Sequence, residues 1–595
     1  MKHVCYIYIK RYKILEDIGI LLDSNYSIAL NHETKVLHIS KNDALPESFW
    51  GRGIYSIAGI FGNNGSGKSS TLSYLMSILV EGASIRQFDG LVVYEQDGKL
   101  YVYQNLSSGR VEVESNGIPC GKLSSLSKMQ VFYYSGHFMP YLNVEDQRCQ
   151  ELAGLYNGSD AIRIQHDLQR YSNLDTFHMR HPLFLHLNGF VAQNNFRICM
   201  MLANPRVRET FDGFNLPEYV LYAPNTSGRS AWNEKSRTDS SMQLSTFKPL
   251  RFKDNRQNTL YKFVMLNIQN VINEVVAEDH DALILKWNEI ANEKDDVLKQ
   301  FRKYVNLWTV NIQAALKDVH YALSLIADNT HYCEDIGAFY LSFTEDADKV
   351  ERISSAFKAS HYLTSKIYDC YYSRELSSTN TILSSGEQEM LDLFSRMYDA
   401  VELSHKFASD LIAPRLLLLD EAEMGYHPEW QRKYLFILCK FVKTLMVVAG
   451  HDFQIIITSH SPLLLSDMPK SACNYLHKVG QHVINVTDSR PETFASNLYD
   501  LMNNNFFLTS YIGEFASSRI DNLIQRVNDA VDRNLTEDLQ QLLREINLIG
   551  DSFIRGKLKE QLMPLAHIDE KTQLLLALEQ KQEEYLELKR HYDSL

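Results

Sequence analysis

The segment GNNGSGKSS combines residue types that together bind an anion. Its glycines let the backbone turn N–H groups inward, its lysine can contact the outer phosphates of a nucleotide, and the serine after it is a Mg²⁺ ligand. The apolar run IYSIAGIF precedes the loop and SSTLSYLMSIL extends from its end, so the loop should join a strand to a helix N-terminus. A polar turn before a helix is the alternative interpretation. The predicted phosphate-binding residues are Gly62, Asn63, Asn64, Gly65, Ser66, Gly67, Lys68, Ser69 and Ser70.

Two further strands place polar side chains at their ends. In RLLLLDEAE a leucine run predicts a buried strand, and a carboxylate pair follows at its carboxyl end, where ligands bind in open α/β sheets. We expect Asp420 to assist Mg²⁺ together with Ser69, and Glu421 to polarise the attacking water. In QIIITSHSPLLL the buried strand ends in Thr-Ser-His, and His460 is expected to reach a γ-phosphate.

The segment LSSGEQEMLDLFSRM predicts a second anion-binding helix start. Ser384, Ser385 and Gly386 precede a helix whose apolar residues recur at helical spacing. The phosphate loop already has its own helix. A second helix start of this kind therefore suggests a nucleotide bound from two sides.

The elements that must position these residues alternate along the chain of 595 residues. Short β-rich runs fill the region before the phosphate loop, long amphipathic helices follow, strands and helices alternate again around the carboxylate pair, and helices dominate the end. The sequence predicts an α/β fold with a mixed β-sheet and flanking helices. The predicted domains are an ATPase lobe at 1–139, a helical insertion at 140–375, a second lobe at 376–500, and a helical region at 501–595 for partner or oligomer contacts.

Composition, charge and cysteine spacing argue against several other classes of protein. The longest apolar runs fall short of the roughly 18 residues that a membrane span needs, and the N-terminus is too charged for a secretion signal, so we expect a cytoplasmic protein with no membrane contact. The net charge of −13 argues against coating nucleic acid. The stretch 226–256 is locally basic and is either a solvated loop or a contact for nucleic acid or a partner. The eight cysteines lack zinc spacing and are expected to be reduced.

Four motifs in order carry a family resemblance: GNNGSGKS, LSSGEQ, LLLLDE and ITSHSP resemble the Walker A, signature, Walker B and switch-histidine motifs of ABC-type ATPases. The resemblance implies ATP and Mg²⁺ as cofactors, and two heads that sandwich two ATP molecules. By it Glu421 is the catalytic base, His460 contacts the γ-phosphate, and Ser384 and Gly386 act in trans. Gln130, in KMQVFYY, is the candidate Q-loop glutamine.

The signature departs from the transporter form, since Ser385 stands where a glycine is usual and Glu387 precedes Gln388. The long spacing between the phosphate loop and the signature leaves room for an inserted helical domain. In this respect the sequence resembles the RecF/SMC-like branch, whose members carry such insertions. Both features argue against the interpretation that the chain is the cytoplasmic cassette of a transporter.

A narrower likeness rests on DEAEMGYHPEWQRKYL, IIITSHSPLLLSDMP, TFASNLYDLMNNNFFL and IGEFASSRI. These segments look like the stand-alone AAA-15/AAA-21 ATPases of bacteria, and most like the ATPase subunit of Septu-type anti-phage systems, including retron-associated ones. The resemblance implies a homo-oligomer that holds a separate HNH-type nuclease subunit, with retron DNA or phage DNA as a candidate ligand. The alternative is a RecF/SMC-like ATPase of DNA repair or a DNA clamp. After His460 the sequence offers no strand-borne Glu and Asp-x-Asp set, so we expect no nuclease site in this chain.

Overall fold

The fold is taken from a computed structural model. Apart from a few isolated positions, the structure describes residues 2–42, 49–81, 88–125, 128–137, 155–159, 193–211, 216–224, 247–274, 280–308, 310–359, 368–376, 383–406, 414–505, 512–533 and 539–566. Most of the basic stretch 226–256 lies outside these ranges.

The strands within these ranges, numbered along the chain, form four sheets. Their bounds are β1 Lys2–Tyr12, β2 Leu15–Leu21, β3 Tyr26–Asn31, β4 Val36–Lys41, β5 Ile54–Gly62, β6 Gly90–Gln96, β7 Lys99–Asn105, β8 Glu112–Glu114, β9 Cys120–Lys122, β10 Val131–Ser135, β11 Leu155–Asn157, β12 Tyr219–Pro224, β13 His331–Cys333, β14 Ala338–Ser342, β15 Tyr368–Ser373, β16 Leu416–Asp420, β17 Phe453–Ser459, β18 Cys473–Val479 and β19 His482–Asn485.

The α-helices are numbered in the same way. Their bounds are α1 Lys68–Met76, α2 Pro205–Arg208, α3 Asn255–Glu274, α4 His280–Ile290, α5 Val297–Val305, α6 Val310–Asn329, α7 Ala347–Ala359, α8 Ser385–Lys406, α9 Pro428–Ala449, α10 Pro462–Ser466, α11 Leu498–Asn505, α12 Glu514–Asp532, α13 Leu539–Asn547 and α14 Ser552–Ala566.

The central sheet has the strand order β11-β10-β16-β17-β5-β18-β19 and positions the site. All neighbours are parallel except β19, which pairs antiparallel with β18 at one edge. Asp420 pairs with Ser135 on one side and with Thr458 on the other, and Thr458 pairs with Ile60. The carboxyl ends of β10, β16, β17 and β5 therefore meet at one edge of the sheet.

Both faces of the central sheet are buried, which explains the uninterrupted apolar runs in its strands. Alternate residues of β16 point to opposite faces. Leu416 and Leu418 pack with the N-terminal strands and α1, whereas Leu417 and Leu419 pack with the helices of the other side. The predicted α/β fold with a mixed sheet and flanking helices is confirmed.

The N-terminal part adds a sheet of order β2-β1-β6-β7-β9 and a smaller sheet of order β3-β4-β8. Strands β6 and β7 form an antiparallel hairpin that turns at the Asp-Gly pair of EQDGKL. Its turn residues Asp97 and Gly98 have φ angles of 54° and 77°, the left-handed conformation that the Asp-Gly pair favours in tight hairpins.

The region predicted as a helical insertion contains α2 to α7, the edge strand β11 of the central sheet, and an antiparallel sheet of order β13-β14-β12-β15. Its short strands, such as YVLYAP and AFYLS, are rich in aromatic and aliphatic residues. We attribute the missed sheet to strand length, because runs of this size are indistinguishable from buried helix segments by periodicity alone.

The chain divides into two compact units, 1–507 and 508–595. In the second unit α12, α13 and α14 surround a core of their own, to which α13 contributes Leu539, Leu542, Leu543 and Ile546. No helix in the described ranges combines the length and apolar character that a membrane crossing requires.

Candidate nucleotide-binding site

The phosphate loop joins the end of β5 to the start of α1, as its sequence predicts. Gly67 has a φ of 89°, and a Cβ atom there would lie 2.5 Å from Leu15 Cδ2. At Gly62 a Cβ atom would lie 2.1 Å from the carbonyl oxygen of Leu476. Both positions therefore require glycine, the first for its left-handed backbone and the second for the close approach of β18.

Lys68 places a buried ammonium at the centre of the site, since it is only 5% exposed. Its Nζ donates to the carbonyl oxygens of Gly62 at 3.2 Å and Asn63 at 3.5 Å, and lies 3.7 Å from Glu421 Oε1. Burial lowers the pKa of Lys68, while the charges of Glu421 and Asp420 oppose that shift. The loop thus surrounds a cation aimed at the space where phosphates would lie.

Asp420 and Ser69 come together as predicted for a Mg²⁺ site. Asp420 Oδ1 accepts hydrogen bonds from Ser69 Oγ at 3.0 Å and Thr458 Oγ1 at 2.5 Å, and Oδ2 accepts one from Tyr133 at 3.1 Å. The carboxylate is 1% exposed and its orientation is fixed by these three hydroxyl groups. A serine hydroxyl and a carboxylate are hard oxygen donors of the kind that Mg²⁺ prefers.

Glu421 projects into the site from a strained backbone. Its φ of 50° is uncommon for a residue other than glycine, and its N–H donates to the carbonyl oxygen of Thr458 at 3.0 Å. Its Oε1 lies 3.2 Å from His460 Nε2, and its Oε2 lies 2.7 Å from His137 Nε2. Burial favours the neutral carboxyl group, but hydrogen bonds from the two histidines and the charge of Lys68 outweigh it and lower the pKa to about 2.

His460 is shared between two partners. Its Nε2 lies 2.5 Å from Lys68 Nζ and 3.2 Å from Glu421 Oε1. A single ring nitrogen either accepts from the lysine or donates to the carboxylate, depending on its protonation. The side chain is therefore able to exchange partners when an anion reaches Lys68.

A cavity of about 330 Å³ opens over these groups. Its volume lies within the range of about 300 to 1,000 Å³ that is usual for small-molecule sites. The lining residues are Ile14, Asn64, Gly65, Ser66, Gly67, Lys68, Ser69, Ser70, Glu421, His460 and Lys478. Ser66 Oγ is also buried and has no partner within the described part of the chain. The residues of the site fit a nucleoside triphosphate with Mg²⁺. The loop and Lys68 would hold the phosphates, and Ser69 with Asp420 would hold the metal.

The signature residues are not brought to this cavity. Ser384, at the start of α8, donates its backbone N–H at 2.9 Å and its hydroxyl at 3.0 Å to Glu387 Oε2, and accepts from the Glu387 N–H at 3.3 Å. This reciprocal arrangement is a capping box. Ser384 and Ser385 are exposed, Gly386 is buried beside the backbone of residues 425–427, and none of the three lines the cavity.

Gln130 is not brought to the site either. Its carbonyl oxygen accepts from the Arg415 N–H at 3.1 Å, next to the amino end of β16, whereas Asp420 lies at the carboxyl end of that strand. Gln130 also precedes β10, so the whole strand separates it from the cavity edge. The Q-loop role expected for Gln130 has no support from this position.

The residue that the sequence analysis missed is His137. It follows the carboxyl end of β10, and the N–H of the preceding Gly136 donates to the Asp420 carbonyl oxygen at 3.1 Å. A Cβ atom at Gly136 would lie 2.4 Å from the carbonyl oxygen of Glu421, so the two turns pack closely. The rule that located Asp420, that polar residues after a buried strand face the ligand edge, would also have pointed to His137 in VFYYSGH.

Replacing His137 with alanine is expected to lower kcat for ATP about tenfold and to leave KM nearly unchanged. The 2.7 Å contact with Glu421 would be lost, but His137 does not line the cavity. Because His137 helps to lower the pKa of Glu421, its loss should move the acid limb of the pH–rate profile to higher pH. His137→Gln, which can still donate, should recover part of the rate; unchanged profiles in both variants would contradict this role.

Glu423 behaves differently from its neighbour Glu421. It is 3% exposed, Ser459 Oγ donates to its Oε1, and its Oε2 has no partner among the described side chains. Burial, with the charges of Glu421 and Asp420, raises its pKa to about 7 against the hydrogen bond from Ser459. Glu423 thus packs behind the site as a group that becomes neutral as the pH falls below about 7.

Glu423→Gln is expected to make the protein more stable than wild type above pH 7, by roughly 3 kcal/mol at most. The folded form binds a proton up to about pH 7, whereas the unfolded form releases it near 4.5. Stability is therefore lost as the pH rises between these values, and the amide removes this loss. Urea unfolding at pH 5 and pH 9 measures it. Glu429→Gln, an exposed carboxylate whose pKa is lowered, is the control and should leave the slope in this range unchanged.

Comparisons with known proteins indicate which families the chain resembles. No curated protein matches the chain at a significant level. Two solved structures of the recombination mediator protein RecF of the RecFOR pathway, one with ATPrS and one with ATP, share 12% identity with it. They cover 82% of this chain and 98% and 99% of their own, with TM-scores of 0.22 and 0.23, which are too low to carry an argument. Residues 280–466 match the family described as "AAA domain, putative AbiEii toxin, Type IV TA system", a range that includes Ser384, Asp420, Glu421 and His460. Together with the geometry of the site, this match supports an AAA-type ATPase domain.

Proposed function

We propose that this protein is a Mg²⁺-dependent ATPase whose nucleotide state controls an assembly. The observation that carries the proposal is that Lys68, Ser69, Glu421 and His460 line one cavity, with Asp420 hydrogen-bonded to Ser69, although these residues follow three separate strands or end one of them. Bound Mg²⁺ would neutralise charge on the phosphoryl group that is transferred. Phosphoryl transfer depends mainly on positioning and electrostatic stabilisation. Within the chain, Lys68 binds phosphate oxygens, Asp420 orients the metal shell, and Glu421, ionised at neutral pH, accepts the proton of the attacking water.

ATP binding would also rearrange the site itself. Lys68 and His460 now contact Glu421, and a γ-phosphate would draw both of them away. Glu421 would then keep His137 as its neighbour, which leaves Oε1 free to accept a proton. ATP is thus both the substrate and the ligand that prepares the base.

The second half of the site is proposed to come from another copy of the chain. Ser384, Ser385 and Gly386 form an exposed helix start that lies away from the cavity of their own chain. A helix N-terminus attracts anions, so the same residues of a second molecule fit the outer side of the bound triphosphate. The protein would then form a homodimer around ATP, or a larger homo-oligomer.

The proposed biological role is bacterial anti-phage defence, in which the ATPase regulates a separate HNH-type nuclease. The resemblance of its motifs to Septu-type and retron-associated ATPase subunits supports this role. The matched family description, which refers to a putative AbiEii toxin and a Type IV TA system, is in keeping with it.

The test is to express the full chain alone and together with an HNH protein encoded beside it, and then to challenge cells with phage. We expect Mg²⁺-dependent ATP hydrolysis by the chain alone, a stable complex with the nuclease, and protection that Lys68→Ala removes. ATP hydrolysis without a complex and without protection would reject the defence role but keep the ATPase. Absence of hydrolysis in both preparations would reject the ATPase.

The second candidate function is a RecF/SMC-like DNA-repair or DNA-clamp ATPase, suggested by the long spacing between the phosphate loop and the signature, with the basic stretch 226–256 as its candidate DNA contact. In the described end of that stretch, Lys248 donates to the Ala291 carbonyl oxygen at 3.2 Å and Arg256 donates to that of Ala327, so both hold the fold together. Stimulation of ATP hydrolysis by DNA, falling steeply with salt, would favour this alternative.

A further inference from the structure

A buried cluster of metal-ligating atoms lies outside the nucleotide site. His3 and Cys5 are two residues apart on β1, and Asp23 follows β2. Their side chains are 2% exposed or less. One ligand atom from each of the three lies within 4.8 Å of the other two, and the described residues contain no second group of this kind.

The distances within the cluster match those around a tetrahedral zinc ion. His3 Nε2 lies 3.0 Å from Asp23 Oδ2 and 3.6 Å from Cys5 Sγ, and Cys5 Sγ lies 3.9 Å from Asp23 Oδ2. Zinc bonds of about 2.0 to 2.3 Å with tetrahedral angles place ligand atoms about 3.3 to 3.7 Å apart. Shifts of a few tenths of an ångström would therefore bring all three atoms into coordination.

Glu95 lies beside the cluster but outside the group of three ligand atoms. Its Oε2 lies 3.6 Å from His3 Nε2 and accepts hydrogen bonds from Tyr26 at 2.8 Å and Tyr55 at 2.7 Å. Asp23 is oriented in a similar way, because its Oδ1 accepts from the Asn25 N–H at 3.0 Å and leaves Oδ2 for the cluster. Outer hydrogen bonds that orient carboxylate ligands are typical of metal sites.

The charges of the cluster are unbalanced without a cation. Asp23 and Glu95 face one imidazole, and within the described part of the chain no lysine or arginine forms an ion pair with either carboxylate. The donors within the cluster are His3 Nε2 and the Cys5 thiol, and both converge on the same oxygen, Asp23 Oδ2. The other ring nitrogen of His3, Nδ1, has no hydrogen-bond partner in the described structure. The imidazole is therefore oriented by the contacts of Nε2 and by the ring of Tyr55, whose centroid lies 3.4 Å from that of His3.

We propose that His3, Cys5 and Asp23 supply three ligands of a Zn²⁺ site that ties β1 to the end of β2, with a water molecule as the fourth ligand. A bulge between Val4 and Tyr6 interrupts the pairing of β1 with β6, and bulges of this kind re-aim side chains. Zinc is the metal that this mixture of nitrogen, sulfur and oxygen ligands fits best. Its binding would release the Cys5 thiol proton to solvent.

The test measures the metal content of the full chain, expressed without a polyhistidine tag and purified without chelator. We expect about one zinc ion per chain by elemental analysis, and its loss in His3→Ala, Cys5→Ser and Asp23→Asn. Cys473→Ser, which changes another buried cysteine on a different strand, should keep the zinc. Loading with Co²⁺ should give a sulfur-to-cobalt charge-transfer band that Cys5→Ser abolishes.

Two results would overturn the site. One is a wild-type chain that contains no zinc and takes up none on dialysis against Zn²⁺, which would leave a metal-free hydrogen-bonded cluster. The other is a zinc content that Cys5→Ser does not reduce, which would place the metal elsewhere. If the variants fail to fold, chelation of the wild-type protein decides: its melting temperature should fall and return on adding Zn²⁺, and an unchanged melting temperature would reject the site.

Discussion

Replacing Lys68 with alanine is expected to weaken ATP binding about a hundredfold, because hydrogen bonds to charged groups contribute about 1.5 to 3 kcal/mol each. Lys68 is the buried cation of the cavity, and its Nζ is held at the phosphate loop by the carbonyl oxygens of Gly62 and Asn63. ATP hydrolysis should fall with binding. Titration calorimetry with MgATP and the full chain measures the change in Kd.

Two control variants separate this effect from a general loss of charge. Lys478 lines the same cavity from β18, and Lys478→Ala is expected to weaken binding less, since Lys478 is outside the phosphate loop. Lys440 lies on α9 over the ring of Phe436, and Lys440→Ala should leave the Kd unchanged. If Lys68→Ala bound ATP as tightly as Lys440→Ala, the assignment of the phosphate-binding cation would be wrong.

The cluster of site residues could be expected from the sequence because one physical rule covers it. In a parallel sheet the carboxyl ends of neighbouring strands meet, so residues that follow buried strands are brought together whatever their distance along the chain. The rule brings Ser69, Asp420 and His460 to one edge. Applied to β10, it selects His137 and excludes Gln130, which lies before the strand.

Other features depend on contacts that the linear pattern does not contain. The ligand atoms of the proposed zinc site come from β1 and from the residues after β2, and only His3 and Cys5 are close in sequence, so no C-x-x-C spacing marks them. The raised pKa of Glu423 also depends on such contacts, because burial and the charges of Glu421 and Asp420 cause it. DEAE looks like one acidic group, yet Glu421 turns toward two histidines while Glu423 is buried beneath the strand ends.

Glu421→Gln is expected to lower ATP turnover roughly a hundredfold to a thousandfold, the usual cost of losing a general base. The amide keeps the size of the side chain but cannot accept a proton from water. Ser69, Asp420 and Lys68 are untouched, so ATP and Mg²⁺ should still bind. The variant should therefore accumulate the ATP-bound state, and under the proposed sandwich arrangement it should elute as a dimer when MgATP is present.

The same variant distinguishes a base from a structural residue. Its amide also breaks the ion pair with Lys68 and changes the contacts with His460 and His137, so a purely structural Glu421 would show itself as weaker ATP binding or lower thermal stability. A base would show itself as slow turnover at unchanged Kd, and single-turnover hydrolysis beside a calorimetric Kd separates these outcomes. Glu429→Gln makes the same chemical change at an exposed position on α9 and should keep wild-type turnover. Equal turnover in wild type and Glu421→Gln would remove Glu421 from the mechanism, and His137 would then have no base to position.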